Sequence, residues 1–77
     1  MNLAQAVGKR LKDILKERKI TQYQLSKEGG IARSTLSVIV SAKYRTVNLD
    51  TIYQITQTLN MTLKDFFDDE IFEEITE

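Results

Sequence analysis

The chain has 77 residues, with no cysteine, no histidine, no proline and only three glycines. Without cysteine there is no disulfide framework and no thiolate metal site. Without histidine the commonest general base and the commonest metal ligand are missing. No glycine-rich phosphate loop or metal-spaced cluster takes their place, so the residues argue against an enzyme. No metal, cofactor or small-molecule ligand is expected. Long apolar runs are lacking too. Within the helical segments the longest is Val38-Ile39-Val40, far short of the roughly 20 residues that cross a bilayer. Lys9, Arg10, Lys12 and Asp13 interrupt the start of the chain before the apolar stretch of a signal peptide can form. The expectation is a cytoplasmic protein with no membrane contact. There is no Ser/Gly linker, no low-complexity run and no fixed repeat, and a chain of this length makes one domain.

Formal charge is zero overall, but it is unevenly distributed. Residues 1–64 hold all 11 Lys and Arg against four acids, Asp13, Glu17, Glu28 and Asp50, a net of +7. Residues 65–77 hold seven acids and no base, a net of −7. Such asymmetry says more than the total. A basic body suits phosphate, although Lys9, Lys12, Lys16 and Lys19 read as an ordinary solvated helix face.

What the sequence does contain is helical periodicity, with no sustained alternation of period two. Val7, Leu11, Ile14, Leu15 and Arg18 recur on one stripe and predict a helix over about 3–18. Ile20 precedes Thr21 as a packing staple, and Thr21 with Gln24 forms a capping box that opens a second helix. Gly29-Gly30 ends it, since glycine takes positive φ at little steric cost. Ile31, Leu36 and Ile39 anchor a third helix. Asn48 caps a fourth, with Leu49, Ile52, Ile55 and Leu59 inward, and Asn60 stands where a left-handed stop is common. Thr62 and Asp65 form another capping box, opening a short helix with Leu63, Phe66 and Phe67. The expected fold class is all-α, with five helices. The domain is expected over 1–67, followed by an acidic, amphipathic extension over 68–77 that carries Ile71, Phe72 and Ile75.

The stretch Thr21–Lys43 resembles the helix-turn-helix of the phage-repressor-like (Xre-type) family of bacterial and phage transcription regulators. The resemblance rests on Thr21-Gln22, Leu25-Ser26, Gly30-Ile31, Arg33-Ser34-Thr35-Leu36-Ser37, Ile39 and Lys43, in that spacing. It extends over about residues 5 to 67 and implies a compact five-helix lambda-repressor-like domain. It also implies a sequence-specific regulator, a repressor, acting as a homodimer on a two-fold site in double-stranded DNA. The third helix would lie in the major groove with its first turn toward the bases.

Carried over residue by residue, Arg33, Ser34, Thr35, Ser37 and Val38 fall on the reading helix. Arg33 is the best base reader, because a guanidinium donates two parallel bonds to guanine O6 and N7. Thr21 and Gln22 fall where the family meets a phosphate, and Lys43, Tyr44 and Arg45 lie in a loop laid along the backbone. The family dimerises through its C-terminal part, which points to Phe66, Phe67, Ile71, Phe72 and Ile75. Three departures stand out. Ala32 replaces a usual Ser or Thr cap, forfeiting about 1 kcal/mol. Gly29 replaces an apolar residue, which predicts an underpacked turn. Leu15 and Val40 replace a frequent buried Arg–Glu pair with two apolar side chains. A rival reading is a protein-interaction module, such as an antitoxin-like subunit or an anti-repressor, with the acidic tail bound to a basic partner.

Overall fold

The structure is a computed structural model describing residues 1–76, all-helical in its regular elements. The order is α1 (Leu3–Arg18), α2 (Gln22–Gly29), α3 (Arg33–Ser41), α4 (Leu49–Thr58) and α5 (Leu63–Phe67), followed by a 3-10 turn at Glu70–Glu74. Local chemistry fixes most boundaries. Thr21 and Gln24 close a full capping box on α2, as do Thr62 and Asp65 on α5. Asn48 accepts the N–H groups of Asp50 and Thr51 at the start of α4. Asn2 and Gln5 form a further capping box on α1. Gly30 and Asn60 both take left-handed φ, at 63° and 57°. The Thr62 N–H donates to the Asp65 carboxylate at 3.2 Å, and this bond holds that carboxyl below the ordinary carboxylate range.

One core runs through the molecule. Leu11, Leu25, Leu36, Ile52, Ile55 and Phe66 are fully buried, and Ile20, Val40 and Met61 pack against them from the margin. Leu15 is buried and Val40 half-buried, so apolar side chains do occupy both positions of the expected pair. Gly8 lets α1 and α3 meet backbone to backbone. A Cβ there would lie 2.9 Å from the Val40 carbonyl oxygen and closer still to that of Ile39. The approach needs the missing side chain.

Three features differ from the sequence-based expectations. Gly29 is not underpacked: its Cβ position lies 2.7 Å from Thr58 Oγ1 and 3.1 Å from Ile31 Cδ1, so α4 has filled the space. Arg18 lies on the exposed side of its stripe, and its guanidinium donates to the Leu59 carbonyl at the end of α4. Leu49, the first residue of α4, points outward at 63 % exposure. The acidic segment does not prolong α5. Asp69 caps the 3-10 turn by accepting from the Ile71 N–H at 2.9 Å, and the turn folds back onto α1.

That fold-back decides the fate of the C-terminal apolar residues. Phe66 and Ile71, expected between two copies, are inside the protomer at 0 % and 6 % exposure. Their apolar area has already left water within one chain. Phe72 is half-buried with its ring centre 5.0 Å from that of Phe67 and 6.3 Å from that of Phe66, and Ile75 is half-buried as well. Arg10 ties the segment down. Its guanidinium donates to the carbonyls of Phe66 at 2.7 Å and Asp65 at 2.8 Å, and pairs with Asp69 at 3.2 Å. The Thr76 N–H reaches the Met1 carbonyl at 3.2 Å. Of the extension 68–77, Glu77 lies outside the described residues.

Candidate nucleic-acid interface

The turn between α2 and α3 is fixed from three sides. The Ile31 N–H donates to the Ser26 carbonyl at 3.2 Å, and the Ser26 hydroxyl donates to the Ile31 carbonyl at 2.5 Å. The Gln54 side-chain amide of α4 donates to the Gly29 carbonyl at 2.7 Å. Leu36 and Ile39 then lock α3 by burial, and Gly8 sets its distance from α1. With Leu36 and Ile39 inward, helical geometry sends Arg33, Ser34 and Ser37 outward. All three are exposed, while Thr35 and Val38 are half-buried on the flank. Ala32 makes no side-chain cap bond, so the first turn of α3 keeps backbone donors that no cap satisfies.

Arg33 does not wave freely. Its guanidinium carbon lies 5.4 Å from the ring centre of Tyr23, which stands exposed in the first turn of α2. A cation over an aromatic face is attracted by the ring's quadrupole, about 0.5–1 kcal/mol at an exposed site. The contact narrows the orientations open to Arg33 while its N–H edges stay clear of the core. The sequence reading overlooked Tyr23. Its place beside Gln22 on the same exposed turn was the available signal.

The loop after α3 forms the other flank. Lys43, Tyr44 and Arg45 are all exposed, and the Lys43 ammonium lies 5.6 Å from the Tyr44 ring centre. Tyr44 faces Ser34, Thr35 and Val38 across a shallow hollow of about 290 Å³ that Asn48 and Thr51 also line. Hydroxyl and amide groups from α3, the loop and α4 therefore meet on one side of the molecule. Asn48 and Thr51 were not expected there, because the cap role of Asn48 absorbed its whole sequence signal. Gln22 is exposed on the α2 flank. Thr21 is exposed too, but its hydroxyl is engaged with Gln24 within the capping box.

The lysines of α1 sit elsewhere. Lys9, Lys12 and Lys16 border a cleft with Val40, Ser41 and Ala42 at the C-terminal end of α3, about 12 Å from Arg33 along a nine-residue helix. Cations there complement the negative end of the helix dipole. Lys9 also pairs with Asp13 at 3.1 Å. The described residues hold no group of His, Cys, Asp or Glu able to hold a metal ion, and no helix among them is long and apolar enough to cross a membrane.

The resulting side is polar and cationic, with the exposed face of α3 at its centre. The major groove of B-DNA admits one α-helix. No curated protein and no solved structure shows significant similarity to the chain. The family model of the Cro/C1-type HTH DNA-binding domain matches residues 10–70, a span from the middle of α1 to the start of the 3-10 turn. The chain belongs to the Cro/C1-type helix-turn-helix family of DNA-binding domains, in agreement with the Xre-type resemblance of its sequence.

Proposed function

We propose that the protein is a sequence-specific regulator of transcription, a repressor, that binds a two-fold DNA site as a homodimer in the cytoplasm. The observation that carries this reading is Arg33 at the head of α3, exposed and steadied by Tyr23, on a helix whose position is fixed by the core. A base reader must reach outward and yet be held, because each freely rotating bond is an entropic cost on binding. Arg33 would read guanine through its paired N–H donors. Ser34 and Ser37 would add less selective hydrogen bonds, and Val38 with Thr35 apolar contact to a thymine methyl. Gln22, Lys43, Tyr44 and Arg45 would hold phosphates on either side and set the register of α3. Thr21 would act by capping α2 behind Gln22.

Selection of bound sequences from a random DNA pool tests the proposal. The expected product is a short site with two inverted halves separated by about one helical turn, 10–10.5 base pairs centre to centre. Recovery of sequences with no common pattern would contradict it. The interaction-module reading receives less support, because Arg10 of the same chain already holds Asp69 of the acidic segment.

A further inference from the structure

Arg33 is the first residue of α3, so the turn before it decides where its guanidinium stands. Two hydrogen bonds of that turn join it to itself, from the Ile31 N–H to the Ser26 carbonyl and from the Ser26 hydroxyl to the Ile31 carbonyl. The bond from Gln54 is different in kind, because it joins the turn to α4, 25 residues away in the chain. Its acceptor is the Gly29 carbonyl, one of the last four of α2, which no N–H of that helix reaches.

A second residue of α4 meets the same glycine. Thr58 lies one helical turn beyond Gln54 on the same face, and its hydroxyl donates to the Gln54 backbone carbonyl at 2.9 Å. A Cβ on Gly29 would lie 2.7 Å from Thr58 Oγ1 and 3.4 Å from Thr58 Cγ2, so α4 touches the backbone of the turn. The grip is firm because α4 is anchored by fully buried Ile52 and Ile55. Gln54 itself is exposed. Water can take its place at the Gly29 carbonyl, so the fold has little need of the bond. Water cannot hold the turn at a fixed distance from α4.

The helix that carries Arg33 is held differently at its two ends. Near its C-terminus α3 crosses α1 at Gly8, where the backbone of Ile39 and Val40 leaves no room to shift. At its N-terminus stand Gly30, at a φ of 63°, and Ala32, which makes no side-chain cap bond. Arg33 lies about 12 Å from the fixed end, so a small movement of the turn swings it. Paired donors aimed at one base must be held to within about 0.5 Å. We infer that Gln54 is a positioning residue for base reading, which sets the attitude of α3 by holding the Gly29 carbonyl to α4. The inference rests on the reading of Arg33 as the base reader and deepens it. Gln54 acts through the turn and touches no DNA.

The test compares binding to the selected site and to scrambled DNA, with thermal unfolding, for the full chain as wild type, Gln54→Met and Gln54→Lys. Met keeps the length and helix propensity of Gln and removes the donor. Gln54→Met should lower the ratio of specific to non-specific affinity by about two- to ten-fold, the span of one net hydrogen bond. Its melting temperature should hardly move. Gln54→Lys should restore the ratio, because an ammonium can donate to the same carbonyl, while its charge tightens binding to both DNAs. A Gln54→Met protein that keeps the full ratio would overturn the inference. So would one that weakens both DNAs by the same factor, which would make Gln54 a contact to the DNA backbone. A ratio that falls only in step with the melting temperature would make the bond a contact of the fold and overturn it as well, as would a Gln54→Lys protein that behaves like Gln54→Met. A wild type with no preference between the two DNAs would fault the proposed function and the inference with it. A wild-type preference that Gln54→Met retains would fault the inference alone.

Discussion

The side bearing α3 and the side between the starts of α1 and α4 rest on the same small core, yet they are built oppositely. On the first, buried Leu36 and Ile39 hold a helix whose outer residues are arginine and hydroxyls, with aromatic rings used as supports. On the second, Leu3, Leu49 and Phe67 stand partly exposed around an apolar hollow. Under the proposed function the difference would separate two kinds of recognition, since reading bases requires hydrogen-bond donors fixed in space, whereas self-association draws on apolar area withdrawn from water. The two sides also depend on different internal ties. The first depends on the close crossing of α1 and α3 at Gly8, and the second on Arg10, which fastens α5 and the 3-10 turn to α1.

Breaking the first tie should have the largest effect. Gly8→Ala adds a methyl group against two backbone carbonyls that cannot step aside, so α3 must move away from α1. With backbone oxygens on both sides, the expected loss lies at the upper end of the overpacking range, about 3 kcal/mol, partly offset by about 1 kcal/mol of helix propensity. Thermal unfolding would show it as a melting point several degrees lower, at about 4–8 °C per kcal/mol. A Gly8→Ala protein at least as stable as wild type would mean that the crossing relaxes without cost.

Arg10→Met should come next. It removes two bonds to backbone carbonyls, one exposed and one part-buried, and one ion pair, and costs about 0.5–1.5 kcal/mol. It should also raise protease cleavage within residues 68–76, and it should weaken association more than it alters the ratio of specific to non-specific DNA affinity. Equal damage to both properties would show that the two sides are not independently tied.

Tyr23→Ala sharpens the contrast within the first side. Losing the ring under Arg33 should lower the preference for the selected site by about 0.5–1 kcal/mol, or two- to five-fold. Stability and the salt slope should hardly change. Tyr23→Phe should restore the preference, because the ring and not the hydroxyl supports the guanidinium. If Phe fails where Tyr succeeds, the hydroxyl makes its own contact.

The smallest effect concerns Asp65. Its carboxyl is held below the ordinary value of 3.8 by the Thr62 N–H, so the folded state favours the charged form. The stability linked to it is present above that ordinary value and is lost as pH falls through the lower folded value. Asp65→Ala should therefore flatten the acid limb of stability below about pH 4. An unchanged limb in urea titrations would show that the capping bond does not persist in solution.

Features set by neighbours three or four residues apart were legible in the sequence. The boxes at Thr21–Gln24 and Thr62–Asp65, the Asn48 cap, the left-handed Gly30 and Asn60 and the missing cap at Ala32 are all of this kind. So was the outer face of α3, because Leu36 and Ile39 define its inner face and thereby its outer one. What escaped was set by partners remote in the chain. Gly8 matters through Ile39 and Val40, Arg10 through Asp65 and Phe66, and Gly29 through Thr58, none of which leaves a local pattern. Leu49 misled for another reason. Its helical phase points it toward the core, but at the first residue of α4 the core has already ended.

The central claim is that α3 reads sequence through Arg33 while the loop after it holds backbone. A salt titration of binding to the selected site and to scrambled DNA, for wild type, Arg33→Ala, Lys43→Ala and Arg45→Ala, tests it most directly. Arg33→Ala should cost about 1–3 kcal/mol on the selected site and compress its advantage over scrambled DNA. Lys43→Ala and Arg45→Ala should weaken both DNAs alike and lower the salt slope by about one each. An Arg33→Ala protein that loses affinity equally for both DNAs would contradict the account and make Arg33 a phosphate contact.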